Sequence, residues 1–410
     1  MKNWEKKKLG DICSFVRGPF GGSLKKNIFK PEGYAVYEQQ HAIYDQFDDI
    51  RYFIDETKFN EMKRFELNSG DLIMSCSGTM GKIAIVPENI KKGIINQALL
   101  KLTPSKKIST IFLKLWMQSE SFQESLKEYS GGAAIQNVAS VAILKQIEIP
   151  LPPLPEQQCI VSILDECFAA IDKAKANDEQ NLKNAKELFE SYLQGVFENG
   201  DWEEKTLKEL TLKIGSGATP RGGQENYKSE GISLVRSMNV HDWEFRERNL
   251  AFIDEKQAKE LDGVTLQEDD VLLNITGASV ARCCIFPKEY LPARVNQHVS
   301  IIRPKKEILD ARFLNLLLTS KPYKDQLLFT GEQGATRQAI TKAQIETFRI
   351  AIPSLKDQQT IVRQLDALRA ETQKLETVYQ KKIADLEELK KSILQKAFAG
   401  ELKTEKAVAV

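Results

Sequence analysis

An internal repeat constrains this chain more than any other feature. The segment PPLPEQQCIV at residues 152–161 returns as PSLKDQQTIV at residues 353–362, so Glu156 corresponds to Asp357. Self-similarity at a long fixed period means that one structural unit is encoded more than once. The 410 residues are therefore predicted to form two similar units, each followed by a long charged segment.

The repeat extends over most of both halves. Trp4 corresponds to Trp202, Asn96-Gln97 to Asn296-Gln297, GDLIMSCSGTMGKIAIVP at 70–87 to DDVLLNITGASVARCCIFP at 269–287, and Gly132-Ala133 to Gly334-Ala335. The segments with the weakest internal match are residues 25–68 and 221–268. Because the two copies look like one scaffold with two different surfaces, we expect these segments to carry any difference in specificity.

The composition is that of an ordinary soluble globular protein. Hydrophobic residues make up 42% of the sequence, which is typical of that class. There is no apolar run near the roughly 18 residues that cross a bilayer, and the amino-terminal residues do not resemble a secretory signal. The six cysteines form no CxxC and have no histidines at metal-ligand spacing, so we expect free thiols and no metal. We expect a cytoplasmic protein without membrane contact.

Each charged segment carries a heptad-like apolar stripe. The stripe comprises Leu164, Cys167, Ile171, Ala174, Ala185, Leu188 and Tyr192 in the first segment and Ile361, Leu365, Leu368, Thr372, Leu375, Tyr379, Leu386, Leu389 and Ile393 in the second. Steps of three and four predict helices with one narrow seam. A helix of about 40 residues spans roughly 60 Å, which exceeds the roughly 35 Å diameter of a domain of about 150 residues. The two helices are therefore expected to pair with each other, antiparallel, although each could instead pack on its own domain.

The ends of both helices are marked in the sequence. Glu156 and Asp357 put negative charge at the positive end of each helix dipole, and Gly200 and Gly400 are expected to end the helices. With these boundaries the chain divides into two globular domains, residues 1–155 and 201–356, and two long helices, residues 156–200 and 357–402.

The globular regions mix short strands and helices. Residues 71–75 and 82–86 predict a hairpin, and residues 271–275 and 282–286 predict the same hairpin in the second copy. Helical periodicity is found at 111–129 and 311–329. The predicted fold class is α+β, with two similar globular α/β domains separated by two long helices that form an antiparallel coiled coil. The internal repeat predicts pseudo-twofold symmetry.

Polar, glycine-rich loops recur at matched places. They are RGPFGG at 17–22, GSGATPR at 215–221, and residues 130–137 and 331–338. Such loops allow close approach of the backbone to a ligand and offer side chains to phosphates or base edges. Taken alone, each loop is better explained as an ordinary turn. Recurrence in both copies weakens that interpretation, although a duplicated scaffold would repeat its turns too.

The sequence contains no recognisable catalytic motif. It has no Walker A phosphate loop, no GxGxxG followed by an acidic residue, no GxSxG and no HExxH. His41, His241 and His298 occupy unmatched positions in the two copies, which argues against a histidine-centred triad. The chain is predicted to bind a ligand and not to catalyse a reaction.

The charge balance weighs mildly against nucleic acid as that ligand. The formal net charge is +1, whereas DNA-binding domains commonly carry a basic excess. Acidic residues in the long helices or on a far face could conceal a basic cleft. The low net charge favours an alternative, a coiled-coil scaffold protein whose two globular domains bind peptide or protein partners.

The order of these elements resembles the specificity subunit of type I restriction-modification enzymes over essentially the whole chain. The resemblance is carried by the repeated P-x-L-x-[ED]-Q-Q-x-I-V segment, GSGATP at 215–220 and the two Asn-Gln pairs. The first loop departs from it, since RGPFGG stands where GSGATP would be expected. The resemblance implies a non-catalytic protein with two target-recognition domains, each of which reads one half of a bipartite DNA site. A stiff helical pair would hold the two readers at a fixed distance and phase along B-DNA.

The resemblance also implies partners and cofactors. Two adenine-N6 methyltransferase subunits would bring S-adenosylmethionine, and restriction and translocase subunits would bring ATP and Mg²⁺, with no cofactor on this chain itself. Side-chain chemistry and loop position select the residues predicted to contact double-stranded DNA. They are Arg17, Lys25, Lys26, Ser77, Thr79 and Gln136 in the first copy and Thr219, Arg221, Arg236, Asn239, Thr276, Arg337 and Gln338 in the second.

Overall fold

The computed structural model of the chain describes residues 4–128, 140–198, 200, 202–220, 223–332 and 339–402. Packing groups the chain into a first unit, drawn from residues 1–178 and 381–410, and a second unit, drawn from residues 179–380. The first long helix is Leu154–Glu198 and the second long helix is Leu355–Phe398. Each of these helices contributes residues to both units.

Short strands and helices alternate through the globular part of the first unit. Its strands are Glu5–Lys8, Cys13–Arg17, Tyr34–Tyr37, Phe53–Ile54, Leu72–Ser75, Ile83–Ile85, Gly93–Ile95, Leu99–Pro104 and Glu148–Leu151. Its helices are Leu9–Ile12, Gln39–Tyr44, Glu56–Glu61, Thr110–Gln118, Glu120–Glu128 and Val141–Leu144, with 3₁₀ turns at Gly21–Ser23, Lys26–Ile28 and Lys63–Phe65. Asp55, Ser109 and Ser140 begin three of these helices, because each side chain accepts a hydrogen bond from the N–H three residues on.

The second unit repeats most of this series, with a 3₁₀ turn and a small hairpin in place of the helix Gln39–Tyr44. Its strands are Glu203–Thr206, Thr211–Ser216, Ile232–Val235, Val240–His241, Glu244–Phe245, Ala251–Ile253, Val271–Asn274, Cys283–Ile285, Ala293–Val295, Val299–Pro304 and Arg349–Ile352. Its helices are Leu207–Leu210, Glu255–Glu260, Ala311–Thr319, Lys321–Glu332 and Lys342–Thr347, with 3₁₀ turns at Gly223–Asn226, Ser237–Asn239, Asp262–Val264, Gly277–Ser279 and Lys288–Tyr290. Thr206, Asp254 and Thr341 form capping boxes at helix starts.

Both units have the same sheet topology. A four-stranded antiparallel sheet has the order Cys13–Arg17, Leu99–Pro104, Leu72–Ser75, Ile83–Ile85 in the first unit and Thr211–Ser216, Val299–Pro304, Val271–Asn274, Cys283–Ile285 in the second. A three-stranded mixed sheet accompanies it, Phe53–Ile54, Tyr34–Tyr37, Gly93–Ile95 and Ala251–Ile253, Ile232–Val235, Ala293–Val295. Leu72, Ile73 and Met74 are all fully buried, so this central strand is covered on both faces. The predicted hairpins are confirmed.

Each region of predicted helix at 111–129 and 311–329 contains two helices instead of one. The breaks fall at Ser119 and Ser320, where the backbone is extended with ψ of 152° and 147°. The hydroxyl of each serine donates to the carbonyl three residues earlier, at 2.6 Å. Serine competes with helical hydrogen bonding in this way, so the apolar periodicity continues across a break that it does not reveal.

In the first unit the two long helices run antiparallel. Lys175 Nζ lies 2.6 Å from Glu387 Oε1, and Lys390 Nζ lies 2.7 Å from Asp172 Oδ1. A step from Asp172 to Lys175 along the first long helix therefore corresponds to a step from Lys390 back to Glu387 along the second, as in an antiparallel pair. Exposed ion pairs of this kind contribute little stability, but they fix the register. The predicted antiparallel coiled coil is confirmed.

In the second unit the end of the first long helix and the start of the second share one hydrophobic core. That core includes Phe189, Leu193 and Phe197 from the first long helix and Val362 and Leu365 from the second. Trp243 contacts both helices, because its ring lies 5.5 Å from the ring of Phe189 and 4.8 Å from the Arg369 guanidinium. The globular part of this unit therefore holds the helix pair in place.

The apolar seam predicted for the first long helix is wrong beyond Ala185. Leu188 and Tyr192 are 50% and 45% exposed. The buried positions are instead Ala185, Phe189, Leu193 and Phe197. They recur every fourth residue because this part of the helix packs on the broad core of the second unit. The alternating steps of three and four residues that a two-stranded coiled coil requires do not apply there. On the second long helix, Leu375 and Leu389 are exposed as well.

The long helices begin two residues earlier than predicted. Glu156 and Asp357 still lie in the first turn, as their charge requires. The second long helix ends in a left-handed turn at Gly400, whose φ is +73°. Glycine adopts that conformation without strain, so the predicted stop at Gly400 is confirmed.

One glutamine of each Gln-Gln pair fixes the start of a long helix to the globular part. Gln157 and Gln358 are fully buried. Gln157 Oε1 accepts from the Ser109 N–H at 2.8 Å, and its Nε2 donates to the carbonyl oxygens of Pro152 and Lys107 at 2.8 and 3.2 Å. Gln358 makes the corresponding bonds with Asp310, Pro353 and Ile308, at 2.9, 2.9 and 3.0 Å. The repeated motif thus encodes what we call the glutamine anchor.

Candidate nucleic-acid interface

A glycine brings the polar loop of each unit against the turn that holds the Asn-Gln pair. The glycine N–H donates to a carbonyl of that neighbouring segment, at 2.9 Å for Gly18 and 3.1 Å for Gly217. A Cβ at Gly18 would lie 1.8 Å from Asn96 O, and a Cβ at Gly217 would lie 1.8 Å from Val295 O. Only glycine fits such an approach. The two loops share this contact although RGPFGG and GSGATP differ in sequence.

The Asn-Gln pair consists of a structural residue and an exposed one. In Asn96 and Asn296 the side-chain Oδ1 accepts from the N–H two residues on, at 3.0 Å in each unit. An asparagine that bonds its own backbone in this way closes a tight turn. Gln97 and Gln297 are exposed beside it. Each unit therefore presents one amide side chain from a rigid turn.

A chain of polar side chains connects three loops of the second unit. Thr219 Oγ1 donates to Gln297 Oε1, and Gln297 Nε2 lies 3.1 Å from His298 Nε2. His298 Nδ1 lies 2.5 Å from Thr276 Oγ1. An amide nitrogen only donates, so Gln297 Nε2 donates to His298 Nε2, and the other ring nitrogen, Nδ1, donates to Thr276 Oγ1. The structure thus brings together two predicted residues, Thr219 and Thr276, through two that sequence reasoning did not select.

The first unit has different chemistry at the matching place. Ala98 stands where the second unit has His298, so the chain of side chains is not repeated. Arg17 ends its strand close to Cys76. Burial raises the pKa of the Cys76 thiol to about 12, and the nearby Arg17 guanidinium acts in the opposite direction. Among the described residues, this unit therefore has a guanidinium at the loop cluster, where the second unit has the chain of polar side chains from Thr219 to Thr276.

Ser77 and Thr79 lie together in the hairpin turn that follows Leu72–Ser75. Ser75 Oγ donates to Thr79 O at 2.6 Å, which fixes the turn and leaves the Thr79 side chain exposed. Lys25 and Lys26 are exposed at a 3₁₀ turn of the divergent segment. These positions suit contact with a ligand, and their role in DNA binding stays a prediction.

Arg236 and Asn239 are held within the fold of the second unit. The Arg236 guanidinium lies 5.3 Å from the centre of the Tyr227 ring and donates to Asn249 O. Asn239 is fully buried. Its Nδ2 donates to Arg246 O at 2.8 Å, and its Oδ1 accepts from the Arg236 N–H at 3.1 Å. Asn239 therefore has a structural role, and contact of either residue with DNA stays a prediction.

The other predicted contacts are Gln136, Arg221, Arg337 and Gln338. All four lie outside the described residues. The sequence signal that could have found Gln97 and Gln297 is the Asn-Gln pair itself, since it occurs in both copies. His298 carried no such signal, because Ala98 replaces it in the first copy.

The described part of the chain contains no group of three or more His, Cys, Asp or Glu side chains that could hold a metal ion. The six cysteines are free thiols. Burial raises the pKa values of Cys13 and Cys284 to about 12 and that of Cys283 well above its usual value. These thiols are therefore protonated at neutral pH and poor nucleophiles. A helix long and apolar enough to cross a membrane is likewise not found among the described residues.

Comparison with known proteins identifies two copies of one domain in the chain. Residues 1–183 and residues 199–386 match the model of a family described as Type I restriction modification DNA specificity domain. Similar proteins include the type I restriction enzyme MjaVIII specificity subunit of Methanocaldococcus jannaschii, 24% identical over 98% of this chain and 93% of that protein. The type I restriction enzyme EcoKI specificity subunit of Escherichia coli strain K12 is 26% identical over 73% of this chain and 67% of that protein.

Solved structures share the fold over nearly the whole chain. A structure from work on complex assembly and conformational transition of the type I R-M system has a TM-score of 0.74, with 19% identity over 97% of this chain and 98% of that one. The HsdS subunit from Thermoanaerobacter tengcongensis has a TM-score of 0.62, with 19% identity over 97% of both chains. These similarities show that the fold of this chain occurs in proteins of distant sequence.

Proposed function

Since the chain belongs to the family of type I restriction modification DNA specificity domains, we propose that it reads a bipartite DNA site, one half with each unit. It is a specificity subunit of a type I restriction-modification system and is itself non-catalytic. The similar proteins named above are specificity subunits, so they do not support the alternative, a scaffold that binds peptides.

The observation that carries the bipartite proposal is the contrast between the two loop clusters. Both units keep the same scaffold, with a glycine contact at Gly18 or Gly217 and an exposed glutamine on a closed turn. The side chains around that scaffold differ, with Arg17 in one unit and the Thr219 chain of side chains in the other. Base edges are distinguished by their pattern of donors and acceptors, so two different clusters suit two different half-sites.

The partners and cofactors follow as part of the same proposal. Two adenine-N6 methyltransferase subunits bind the chain and supply S-adenosylmethionine, and restriction and translocase subunits supply ATP and Mg²⁺. Exposed apolar side chains on the long helices, among them Leu188, Tyr192, Leu375 and Leu389, support a protein partner on these helices. The repeated fold would give two identical methyltransferases equivalent places to bind.

We expect deletion of this chain from its host to abolish adenine-N6 methylation at one bipartite motif. The methyltransferase has no other way to find the motif if this chain supplies its sequence specificity. The measurement is sequencing of methylated bases across the genome, with and without the chain, and with the chain restored from a plasmid. A methylation pattern that does not change on deletion would contradict the proposed function.

Exchange of residues 25–68 for the same segment of a relative is expected to change one half of the motif only. This segment supplies two strands of the small sheet, Tyr34–Tyr37 and Phe53–Ile54, and the exposed Lys25 and Lys26. The exchange therefore leaves the second unit intact. The matched control exchanges residues 221–268, which should change the other half. Simultaneous change of both halves in either variant would argue against independent reading.

A further inference from the structure

A groove lies at the same place in each unit, along the outermost strand of the four-stranded sheet. Each groove is framed by that edge strand, a 3₁₀ turn and a short helix. The framing elements are Cys13–Arg17, Lys63–Phe65 and Val141–Leu144 in the first unit and Thr211–Ser216, Asp262–Val264 and Lys342–Thr347 in the second. The first groove has a volume of about 930 Å³ and the second about 630 Å³. An edge strand leaves backbone N–H and C=O groups unpaired on its outer side, so each groove offers backbone donors.

Both grooves are lined by an excess of positive charge. The charged residues are Arg17, Lys58, Arg64, Lys145 and Glu61 in the first groove and Lys208, Lys213, Lys342 and Glu346 in the second. Another groove of the second unit, beside Trp243, has the opposite balance, with Glu187, Glu190, Asp242 and Asp325 against Lys321 and Lys324. Positive charge is therefore a property of the two edge-strand grooves and not of every concave surface.

The basic residues of the two grooves do not correspond to one another. Arg17 pairs with Leu100 in its sheet, and Ser216 pairs with Ser300, so Ser216 takes the place of Arg17. The middle residue of the 3₁₀ turn is Arg64 in the first unit and a glycine, Gly263, in the second.

In the short helix that closes each groove, the basic residues also occupy different positions in the two units. Lys342 begins this helix in the second unit, where the first unit has Val141. Four residues later the first unit has Lys145 and the second has Glu346. The two copies of a duplicated scaffold diverge at positions where no particular residue is required. Here the residues have been replaced and the positive charge has been kept, so the charge is the retained feature.

From this pattern we propose that each groove holds a stretch of the phosphodiester backbone of DNA. The inference rests on the proposed function and locates the sequence-independent part of binding. Lysine and arginine side chains neutralise phosphates without reading bases, which explains why their positions can change while an excess of positive charge persists. The first groove reaches the loop cluster, because Gln97 also lines it. Phosphate contacts there would set the register of the base-reading residues.

The same edge strands could in principle accept an added peptide strand. Lysine side chains on an edge strand oppose strand addition. Lys213 is such a residue, and its ammonium donates to Gly263 O across the second groove. This contact places a fixed cation over the edge, which suits a phosphate and obstructs a peptide.

The test compares charge-removing variants in the complex of the chain with its methyltransferase subunits. The groove variants are Arg64→Gln with Lys145→Gln, and Lys208→Gln with Lys342→Gln, all exposed side chains. The control is Lys288→Gln with Lys306→Gln, which removes the same charge from exposed residues outside both grooves. Affinity is measured between about 50 and about 200 mM salt, for a duplex with the methylated motif and for a scrambled duplex.

Each groove variant is expected to reduce the slope of log K against log salt by about 1 to 2, since each lost phosphate contact removes about 0.9. Affinity for the motif and the scrambled duplex should fall by the same factor, and the control should keep the wild-type slope. Groove variants that match the control overturn the inference. So do groove variants that keep the slope but release the methyltransferase, because the groove is then a protein-binding surface. A wild-type complex that binds neither duplex overturns the proposed function, and the groove inference with it.

Discussion

Replacement of Gln358 by glutamate is expected to lower the free energy of unfolding by about 3 kcal/mol or more. The Gln358 side chain is fully buried and its Nε2 donates to the carbonyl oxygens of Ile308 and Pro353. A carboxylate donates to neither, so two buried carbonyls lose their partner and a charge is placed against them. The measurement is the urea dependence of unfolding, followed by circular dichroism.

A matched control lies one residue further along the chain. Gln359→Glu makes the same chemical change at an exposed position of the same helical turn, and it should leave the unfolding free energy within about 0.5 kcal/mol of wild type. Gln157→Glu should repeat the loss in the first unit, where the anchor has the same three hydrogen bonds. Equal stability of Gln358→Glu and Gln359→Glu would show that the glutamine anchor does not hold the helix start.

Gly217→Ala is expected to weaken DNA binding at least about tenfold, which corresponds to about 1.4 kcal/mol. The added Cβ would lie 1.8 Å from Val295 O, so the loop must move away from the turn that presents Gln297. That movement also breaks the bond from Thr219 to Gln297, which belongs to the chain of side chains in the second unit. The measurement is the affinity of the complex for a duplex with its methylated motif.

The first unit provides a matched pair of variants, because a Cβ at Gly18 would lie 1.8 Å from Asn96 O whereas a Cβ at Gly22 would meet no atom within 4 Å. Gly18→Ala is expected to weaken DNA binding as Gly217→Ala does, and Gly22→Ala is expected to bind DNA as the wild type does. If Gly18→Ala and Gly22→Ala bind DNA equally, close approach of the loop to the turn is not required for recognition.

The sequence predicted those parts of the fold that depend on local pattern or on the repeat. The hairpins, the long helices, their antiparallel pairing and the end of the second long helix at Gly400 are all found. The helix breaks at Ser119 and Ser320 were missed, because a serine that bonds its own helix interrupts the backbone without interrupting the apolar period. The seam beyond Ala185 was missed because a helix that packs on a globular core follows the shape of that core.

The candidate site was predictable to a smaller extent, since it depends on contacts between residues distant in sequence. The Gln-Gln pair was recognised as a helix start, but only packing shows that Gln358 is buried and Gln359 exposed. The chain from Thr219 to Thr276 joins loops more than fifty residues apart through Gln297 and His298. Asn239 has the side chain of a base-reading residue, yet it is used inside the fold.

The uneven placement of charge affects how quickly the protein can leave the wrong sequence. A uniformly basic protein is held by any duplex through counterion release, and it slides for long distances before it dissociates. This chain has a net charge of only +1, and each of the two grooves has a local excess of cations while the groove beside Trp243 is acidic. A duplex that engages only one groove gains few phosphate contacts. Search of a genome is therefore expected to proceed by many brief encounters, with long residence reserved for sites that fill both grooves.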